Sequence, residues 1–341
     1  MPTPPASASR HQRRIARLLA IARAGVRRAW SRMDPASTSW EDQYQQEVAG
    51  PALALIAGAQ VLAARESDVY VADVLNELAF GPRTEPGVLR PEAFTGVSGD
   101  GLPTGGLLEQ AVAHAGQRYN DLRRTDLSET LTVTRGPDIV LARQALDDTQ
   151  DYIDGLVETI LADTARAADE AAMAQRPWVT GWVRMAEPGA CSRCIVLTGR
   201  FYLFNEGFER HPRCRCTHLP APDNRTAAGR ETLDRLMAVE SPDSHFAALT
   251  ETEQDRVFGA AGAQAIRDGA DISRVVNARR GMRRAQVAGR SVLLTTEATT
   301  RRGRTPGQTR GPRLMPESIL ALAGDDPAER IRLLRLHGYI T

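Results

Sequence analysis

Apolar residues recur three or four positions apart along most of the chain, the spacing that places them on one face of an α-helix. From Arg10 onward, arginines line the polar side of such a face, and its apolar side holds Ile15, Leu18, Leu19, Ala22 and Val26. This pattern predicts a basic amphipathic helix in an N-terminal segment, residues 1–33. The helix either packs on its own domain or docks on a partner or an acidic surface. We expect the Pro/Ser-rich residues 1–9 to be disordered.

A helical domain is predicted over residues 34–176. Ser39, followed three residues later by Asp42, is typical of a helix N-terminus. The apolar run behind it is interrupted by Gly50-Pro51, and proline cannot donate a backbone hydrogen bond inside a helix. The run is therefore predicted to form two helices or one kinked helix.

The middle of this domain breaks the helical spacing. Residues 81–106 hold four prolines among many glycines, which predicts a long connecting loop or surface arm. Helical periodicity returns over residues 107–124 and again over residues 138–176. The second of these stretches is predicted to be the longest helix.

The spacing changes again at residues 178–185, Trp-Val-Thr-Gly-Trp-Val-Arg-Met, where β-branched and aromatic residues alternate with others. Such alternation predicts a β-strand. A second short strand is predicted within residues 199–204, paired with residues 182–185. Together they indicate a small α+β module over residues 177–222.

Short helices are predicted for the rest of the chain. A small helical domain is expected over residues 223–285, with helix caps at Ser241, Thr250 and Asp271. Residues 286–341 are predicted to hold a flexible basic linker at 295–313 and two short helices that begin at Pro316 and Pro327. The predicted fold class is therefore mainly α.

Charge is unevenly distributed, although 43 basic and 42 acidic side chains leave a net charge of only +1. Residues 1–33 contain eight arginines and no acid, and residues 279–313 contain ten arginines and one acid, Glu297. These two stretches are candidate contacts for polyanions. We find no apolar run of the length needed to cross a bilayer and no secretion signal, so no membrane contact is expected.

The candidate chemistry lies in a cluster of cysteines and histidines. All four cysteines fall in the pattern C-x2-C-x16-H-x2-C-x-C-x-H, formed by Cys191, Cys194, His211, Cys214, Cys216 and His218. A C-x2-C turn followed some 15 to 20 residues later by a second pair of soft ligands is typical of one tetrahedral zinc site. The central module is therefore predicted to be stabilised by zinc.

Six candidate ligands compete for four positions. We rank Cys191 and Cys194 first, then His211, Cys214 and Cys216, and His218 last, because it lies just beyond the final cysteine. A site filled by protein ligands has no position for a reactive water, which indicates a structural ion. Two alternatives stay open, namely a pair of disulfides and a catalytic cysteine paired with His211.

The segment 175–220 resembles the phage Mu F-like head morphogenesis family. The similarity rests on Trp-Val-Thr-Gly-Trp-Val-Arg-Met, on Cys-Ser-Arg-Cys-Ile-Val-Leu-Thr-Gly and on the His-Pro-Arg-Cys-Arg-Cys ending. Weaker similarity extends to the actinobacteriophage branch of minor capsid proteins, which are sometimes labelled capsid maturation proteases. It rests on residues 91–101, 259–281 and 314–340.

The resemblance implies a minor capsid protein that acts in procapsid assembly near the portal and is not an enzyme. Its implied partners are portal, capsid or scaffold proteins, together with DNA along the arginine-rich stretches, and no small-molecule substrate is expected. The implied location is the phage head, or the host cytoplasm during assembly. The implied source is a phage or a prophage.

Two other functions are weighed against this one. A capsid maturation protease would need a nucleophile and a base, and Ser98 and His114 are the candidates, although nothing in their spacing requires them to meet. A zinc-containing nuclease or nucleic-acid-binding module would use the arginines that crowd the cysteines, namely Arg193, Arg200, Arg210, Arg213 and Arg215.

Overall fold

The computed structural model describes residues 5–79, 81–87, 89–129, 138–186, 189–204, 214, 216–222, 225–239, 241–287, 289–297 and 311–340. These residues are mainly α-helical, as predicted. The chain divides into two compact units. The first comprises Met1–Glu187 and Phe201–Leu236, and the second comprises Pro188–Arg200 and Met237–Thr341. The boundaries of the five predicted segments stay predictions.

Long helices form the body of the first unit. They are α1 (Ala6–Trp30), α3 (Ala49–Leu78), α4 (Thr104–Glu129) and α5 (Ile139–Ala174), and α2 (Trp40–Gln43) precedes α3. Their apolar faces meet in one core, in which Trp30, Ile56, Leu108 and Ile153 are buried. α5 is the longest uninterrupted α-helix among the described residues, and the side chain of Asp138 caps its first turn.

α1 begins earlier than the sequence predicts. The expectation of disorder for residues 1–9 is wrong for residues 6–9, which are helical. The carboxylate of Glu77 accepts hydrogen bonds from the backbone N–H groups of Ala6 (2.6 Å) and Ser7 (2.8 Å). An anion at a helix N-terminus satisfies donors that have no partner within the helix, so a residue on α3 determines where α1 begins.

The interruption at Gly50-Pro51 produces one continuous helix with an irregular turn. α2 passes through a π-helical turn, Tyr44–Val48, directly into α3. Pro51 lies in the first turn of α3 and has no backbone N–H to donate, so a wider turn just before it accommodates the missing hydrogen bond.

The helical stretch Trp40–Leu78 is also long and apolar enough to cross a membrane, judged over the described residues by length and composition alone. The expectation that no such run exists is therefore wrong. Of its apolar window, 44% is buried inside the protein. The core helix of a globular protein passes the same test, so the finding is weak support for a membrane span.

Among its described residues, the predicted loop 81–106 is non-helical except for a short 3-10 helix, Pro91–Phe94, and for its last three residues, which belong to α4. Gln60 of α3 anchors this loop. Its amide oxygen accepts a hydrogen bond from the Gly96 N–H (3.0 Å), and its amide nitrogen donates to the Val97 carbonyl (2.8 Å). The loop therefore lies on the α3 surface.

His11 packs in the interface between α1 and its neighbours α3 and α5. It is buried and stacks on the ring of Tyr70, with 4.1 Å between centroids. Its Nε2 lies 3.4 Å from the Asp169 carboxylate, and its Nδ1 lies 3.9 Å from that of Glu66. Burial works against the charged imidazole, but the attraction of Asp169 and Glu66 outweighs it and raises the pKa of His11 to about 9.

This raised pKa predicts that stability falls as pH rises. The folded protein holds a proton on His11 that the unfolded chain loses near pH 6.5. The stabilisation is complete below that pH and is lost as pH rises through about 9. A shift of this size corresponds to about 3 kcal/mol. We expect denaturant unfolding between pH 6 and 9.5 to show this loss and the variant His11→Gln to lack it. An equal pH dependence in both proteins would contradict the assignment.

A three-stranded antiparallel sheet completes the first unit. Its strands are β1 (Val179–Ala186), β2 (Phe201–Leu203) and β3 (Cys216–Pro222), in the order β2-β1-β3. β1 and β2 lie where the alternation predicts them and pair as predicted, with Trp182 opposite Tyr202. β3 was not predicted. α7 (Ala227–Val239) follows it.

The second unit is built from short helices and a second sheet. Its helices are α6 (Ser192–Val196), α8 (Pro242–Ala248), α9 (Glu251–Phe258), α10 (Ala260–Arg267), α11 (Ile272–Ala278), α12 (Pro316–Ala323) and α13 (Pro327–Leu336). The predicted caps are confirmed, because Ser241, Thr250 and Asp271 each accept a hydrogen bond from a first-turn N–H group. The predicted starts at Pro316 and Pro327 are also confirmed.

The second sheet was not predicted from the sequence. Its antiparallel strands are β4 (Met282–Val287), β5 (Arg290–Thr295) and β6 (Arg313–Leu314), in the order β4-β5-β6. The predicted flexible linker at 295–313 is wrong at both ends, where Thr295 closes β5 and Arg313 opens β6. Residues 298–310 of that linker lie outside the described residues.

Candidate metal centre

The sheet of the first unit presents one polar face around the start of β3. β1 and β3 run antiparallel, with Ala186 opposite Cys216 and Arg184 opposite His218. Because side chains alternate along a strand, Arg184, Cys216 and His218 share one face with Trp182. The other face carries apolar residues such as Val183 and Leu219, which are fully buried.

Three of the predicted ligands come together. The sulfur atoms of Cys194, Cys214 and Cys216 all lie within 4.8 Å of one another, and all three residues are buried. Three cysteines this close could hold a metal ion. All four cysteines of the chain are described, and none of them forms a disulfide bond.

The other predicted ligands have different outcomes. Cys191 is exposed and lies outside the group of three close sulfurs. His211 falls outside the described residues, so its assignment as a ligand stays a prediction. His218 is described but does not belong to the group, which agrees with its last rank among the candidates.

Arg184 donates hydrogen bonds to the sulfurs of both cysteines of the C-x-C motif. Its Nε donates to the Cys216 sulfur at 3.3 Å, and its Nη2 donates to the Cys214 sulfur at 3.6 Å. Burial works against the charged guanidinium, but its interactions with the Cys216 and Cys214 sulfurs outweigh burial and raise the pKa of Arg184. A fixed positive charge beside a sulfur favours the thiolate, the form that binds metal ions.

A second arginine binds the backbone carbonyls of the same two cysteines. Arg166 of α5 donates from Nη1 to the carbonyls of Cys214 (3.2 Å) and Cys216 (3.1 Å). Its guanidinium forms an ion pair with Asp163, one turn earlier on α5, and both side chains are buried. Arg166 therefore constrains the carbonyls of Cys214 and Cys216, whereas Arg184 contacts their sulfurs.

His218 is held by a ring contact and a backbone hydrogen bond within the first unit. Its ring stacks on Trp182 with 3.6 Å between centroids, and its carbonyl accepts a hydrogen bond from the Tyr70 hydroxyl at 2.7 Å. Burial, helped by the positive charges of Arg166 and Arg184, lowers the pKa of His218 well below its ordinary value. The lowered pKa favours a neutral His218 ring stacked on Trp182.

Sequence reasoning missed Arg166, Asp163 and Arg184 as parts of this site. Arg184 lies inside the Trp-Val-Thr-Gly-Trp-Val-Arg-Met segment. A charged residue among the apolar and aromatic residues of a predicted strand was an available signal. Arg166 and Asp163 gave no such signal, because charged residues are ordinary on a long helix.

The proposed protease pair gains no support from the geometry. The Ser98 hydroxyl accepts a hydrogen bond from the Leu102 N–H at 3.2 Å, which closes a turn in the loop. His114 lies 3.2 Å from the Thr149 hydroxyl and stacks on Tyr152. Each side chain thus has a local structural contact of its own.

Comparisons with protein-family models, with curated proteins and with solved structures find no match to this chain.

Proposed function

We propose that the cysteine cluster binds one structural zinc ion. Cys194, Cys214 and Cys216 supply three thiolates, and Cys191 or His211 supplies the fourth ligand. Zn–S bonds of about 2.3 Å place the sulfurs of a tetrahedral site roughly 3.8 Å apart. The observation that carries the proposal is the convergence of three buried sulfurs to within 4.8 Å, which a small closure would bring to that spacing.

Arg184 and Arg166 suit such a site. Zinc bound by three or four thiolates carries a net negative charge, and N–H···S hydrogen bonds from the surroundings reduce it. Arg184 donates two such bonds from a buried guanidinium. Zinc would fix the ends of the segment between the two cysteine pairs, and its binding energy would then contribute to folding.

The metal site is proposed to be structural. All three cysteines with close sulfurs are buried. A fourth protein ligand would fill the coordination shell and exclude the open position that a catalytic zinc needs. The site therefore supports a role in folding.

We further propose that the chain is a minor head protein that acts in procapsid assembly near the portal. The support is the sequence resemblance over residues 175–220, which contain the three cysteines whose sulfurs lie close together. The zinc would stabilise a module within a helical body that contacts portal, capsid or scaffold proteins.

Elemental mass spectrometry of the purified full chain tests the metal site, together with unfolding before and after chelation. We expect one zinc per chain and a chelation-induced loss of stability on the order of 10 kcal/mol, the scale of small zinc modules. Zinc added back is expected to restore the transition. Purified protein without metal, with four thiols that react freely, would contradict the proposal and revive the cysteine-nucleophile alternative.

The head-assembly role needs a separate test. We expect mass spectrometry to detect the chain in procapsids purified from cells that express the neighbouring head genes. Omitting the chain is expected to reduce the number of complete particles counted by electron microscopy. Normal particle numbers without it, and its absence from particles made with it, would exclude this role even if zinc is bound.

A further inference from the structure

The second unit presents an exposed basic hairpin, which we call the arginine hairpin and define as residues 279–297. β4 is an edge strand, because the sheet order is β4-β5-β6. Five of the six residues of β4 are exposed, and so are the first two of β5. The hairpin therefore presents both faces of β4 to solvent.

Of the five arginines of this hairpin, Arg279 pairs with Glu317 and the other four have no ion pair among the described residues. Arg280, Arg283, Arg284 and Arg290 are exposed, and in the described part of the chain none of them forms an ion pair. The sequence contains no acid from residue 279 to residue 296. The four positive charges are thus available to an external anion.

The other arginine-rich stretch differs in this respect. On α1, Arg10 and Arg14 pair with acids of α3, and Arg23 and Arg27 pair with acids of α5. Half of the eight N-terminal arginines therefore hold α1 to its own unit. The sequence makes the two stretches equal candidates for polyanions, and the structure favours the hairpin.

The arrangement of the arginines fits a nucleic-acid groove. The register places Arg283 opposite Leu294 and Arg284 opposite Leu293, so the two arginines lie on opposite faces of the ribbon. The major groove of DNA admits a two-stranded ribbon. Guanidinium groups bind phosphate through two parallel hydrogen bonds, and arginines on both faces allow the ribbon to contact a phosphate backbone from either face.

We propose that the arginine hairpin binds the phosphate backbone of double-stranded DNA, without sequence specificity. The choice of duplex DNA among polyanions rests on the proposed head function, since duplex DNA is the polyanion that a phage head packages. The presence of a phosphate-binding surface rests on the hairpin alone.

Fluorescence anisotropy with a labelled 20-base-pair duplex of arbitrary sequence tests this proposal on the full, zinc-loaded chain. Each phosphate contact contributes a slope of about −0.9 to log K against log salt, so four contacts predict a slope of about −3.6. The variant Arg283→Gln/Arg284→Gln is expected to flatten this slope by about 2 and to weaken binding on the order of 10-fold at 0.1 M salt.

A matched control comes from α1. Arg13 and Arg17 are exposed, and among the described residues neither forms an ion pair. Arg13→Gln/Arg17→Gln removes the same charge, and we expect it to keep wild-type affinity. Equal losses in the two double variants would overturn the hairpin assignment, because they would reflect net charge alone.

Other outcomes separate the proposal of DNA binding by the hairpin from the proposal of a zinc site. No duplex binding at 50 mM salt would overturn it and leave the arginines as protection of an exposed sheet edge. Tighter binding to single-stranded RNA or to anionic vesicles would overturn the choice of duplex DNA. Zinc content measured on the same samples is expected to be unchanged in both variants. A wild-type chain that holds zinc but does not bind the duplex would reject the hairpin proposal alone.

Discussion

Cys216→Ala is expected to abolish zinc binding and to destabilise the first unit by several kcal/mol. The variant removes one of three close sulfurs, and it also removes the acceptor of the hydrogen bond from Arg184 Nε. A buried guanidinium then loses part of its compensating charge, which adds to the loss of metal-binding energy. Zinc stoichiometry by elemental mass spectrometry and urea unfolding measure the two effects.

Cys191→Ala is the matched control for this variant. Cys191 is exposed and lies outside the three-sulfur group, so its replacement tests only the fourth ligand. Zinc retained in Cys191→Ala but lost in Cys216→Ala would assign the fourth position to His211. A folded Cys216→Ala protein that keeps its metal would contradict the proposed ligand set and favour His211 with Cys214.

The variant Arg166→Leu is expected to cost about 3 to 5 kcal/mol, the range for removing one partner of a buried ion pair. It leaves the buried Asp163 carboxylate without its guanidinium partner. It also removes two hydrogen bonds that hold the carbonyls of Cys214 and Cys216. Chemical denaturation measures the change in the free energy of unfolding. Zinc affinity shows whether Cys214 and Cys216 are still placed to bind the metal.

The double variant Asp163→Asn/Arg166→Leu separates these two contributions. It removes the buried charge along with its partner, so we expect it to recover part of the stability but not the zinc affinity. Arg118→Leu serves as a control, because Arg118 and Asp148 form an ion pair between partly exposed side chains. Such pairs contribute about 0 to 1 kcal/mol. A loss in Arg166→Leu no larger than in Arg118→Leu would contradict the prediction.

Features that depend on nearby residues could be predicted from the sequence. Ser241, Thr250 and Asp271 cap helices through hydrogen bonds to N–H groups three residues away, so composition alone identifies them. β1 and β2 were also predictable, because β-branched and aromatic residues recur at short spacing there.

Features that depend on distant residues could not be predicted. The start of α1 depends on Glu77, some 70 positions away, and composition alone suggested disorder there. β3 reads Cys-Thr-His-Leu-Pro-Ala-Pro, in which two prolines hide a strand. The arginine hairpin was predicted only as part of a basic stretch, because its charged residues mask the alternation.

The candidate site also combines a local feature, which the sequence predicts, with contacts between distant residues, which it does not predict. The spacing of the cysteines predicted the cluster, since it is a local property of the chain. The contribution of Arg166 depends on a hydrogen bond from α5 to the Cys214 carbonyl, which lies 48 positions further along the chain. No pattern in α5 itself indicates that contact.

The π-helical turn at Tyr44–Val48 has a consequence for how this chain can change in length. A π turn holds one residue more than an α turn, so it is equivalent to a one-residue insertion inside a helix. Deleting that residue would rotate the preceding segment by about 100° relative to α3 and turn its buried residues away from the core. It would also return Pro51 to a regular helix that has no room for its ring. Related chains are therefore expected to gain or lose the extra residue and the proline together.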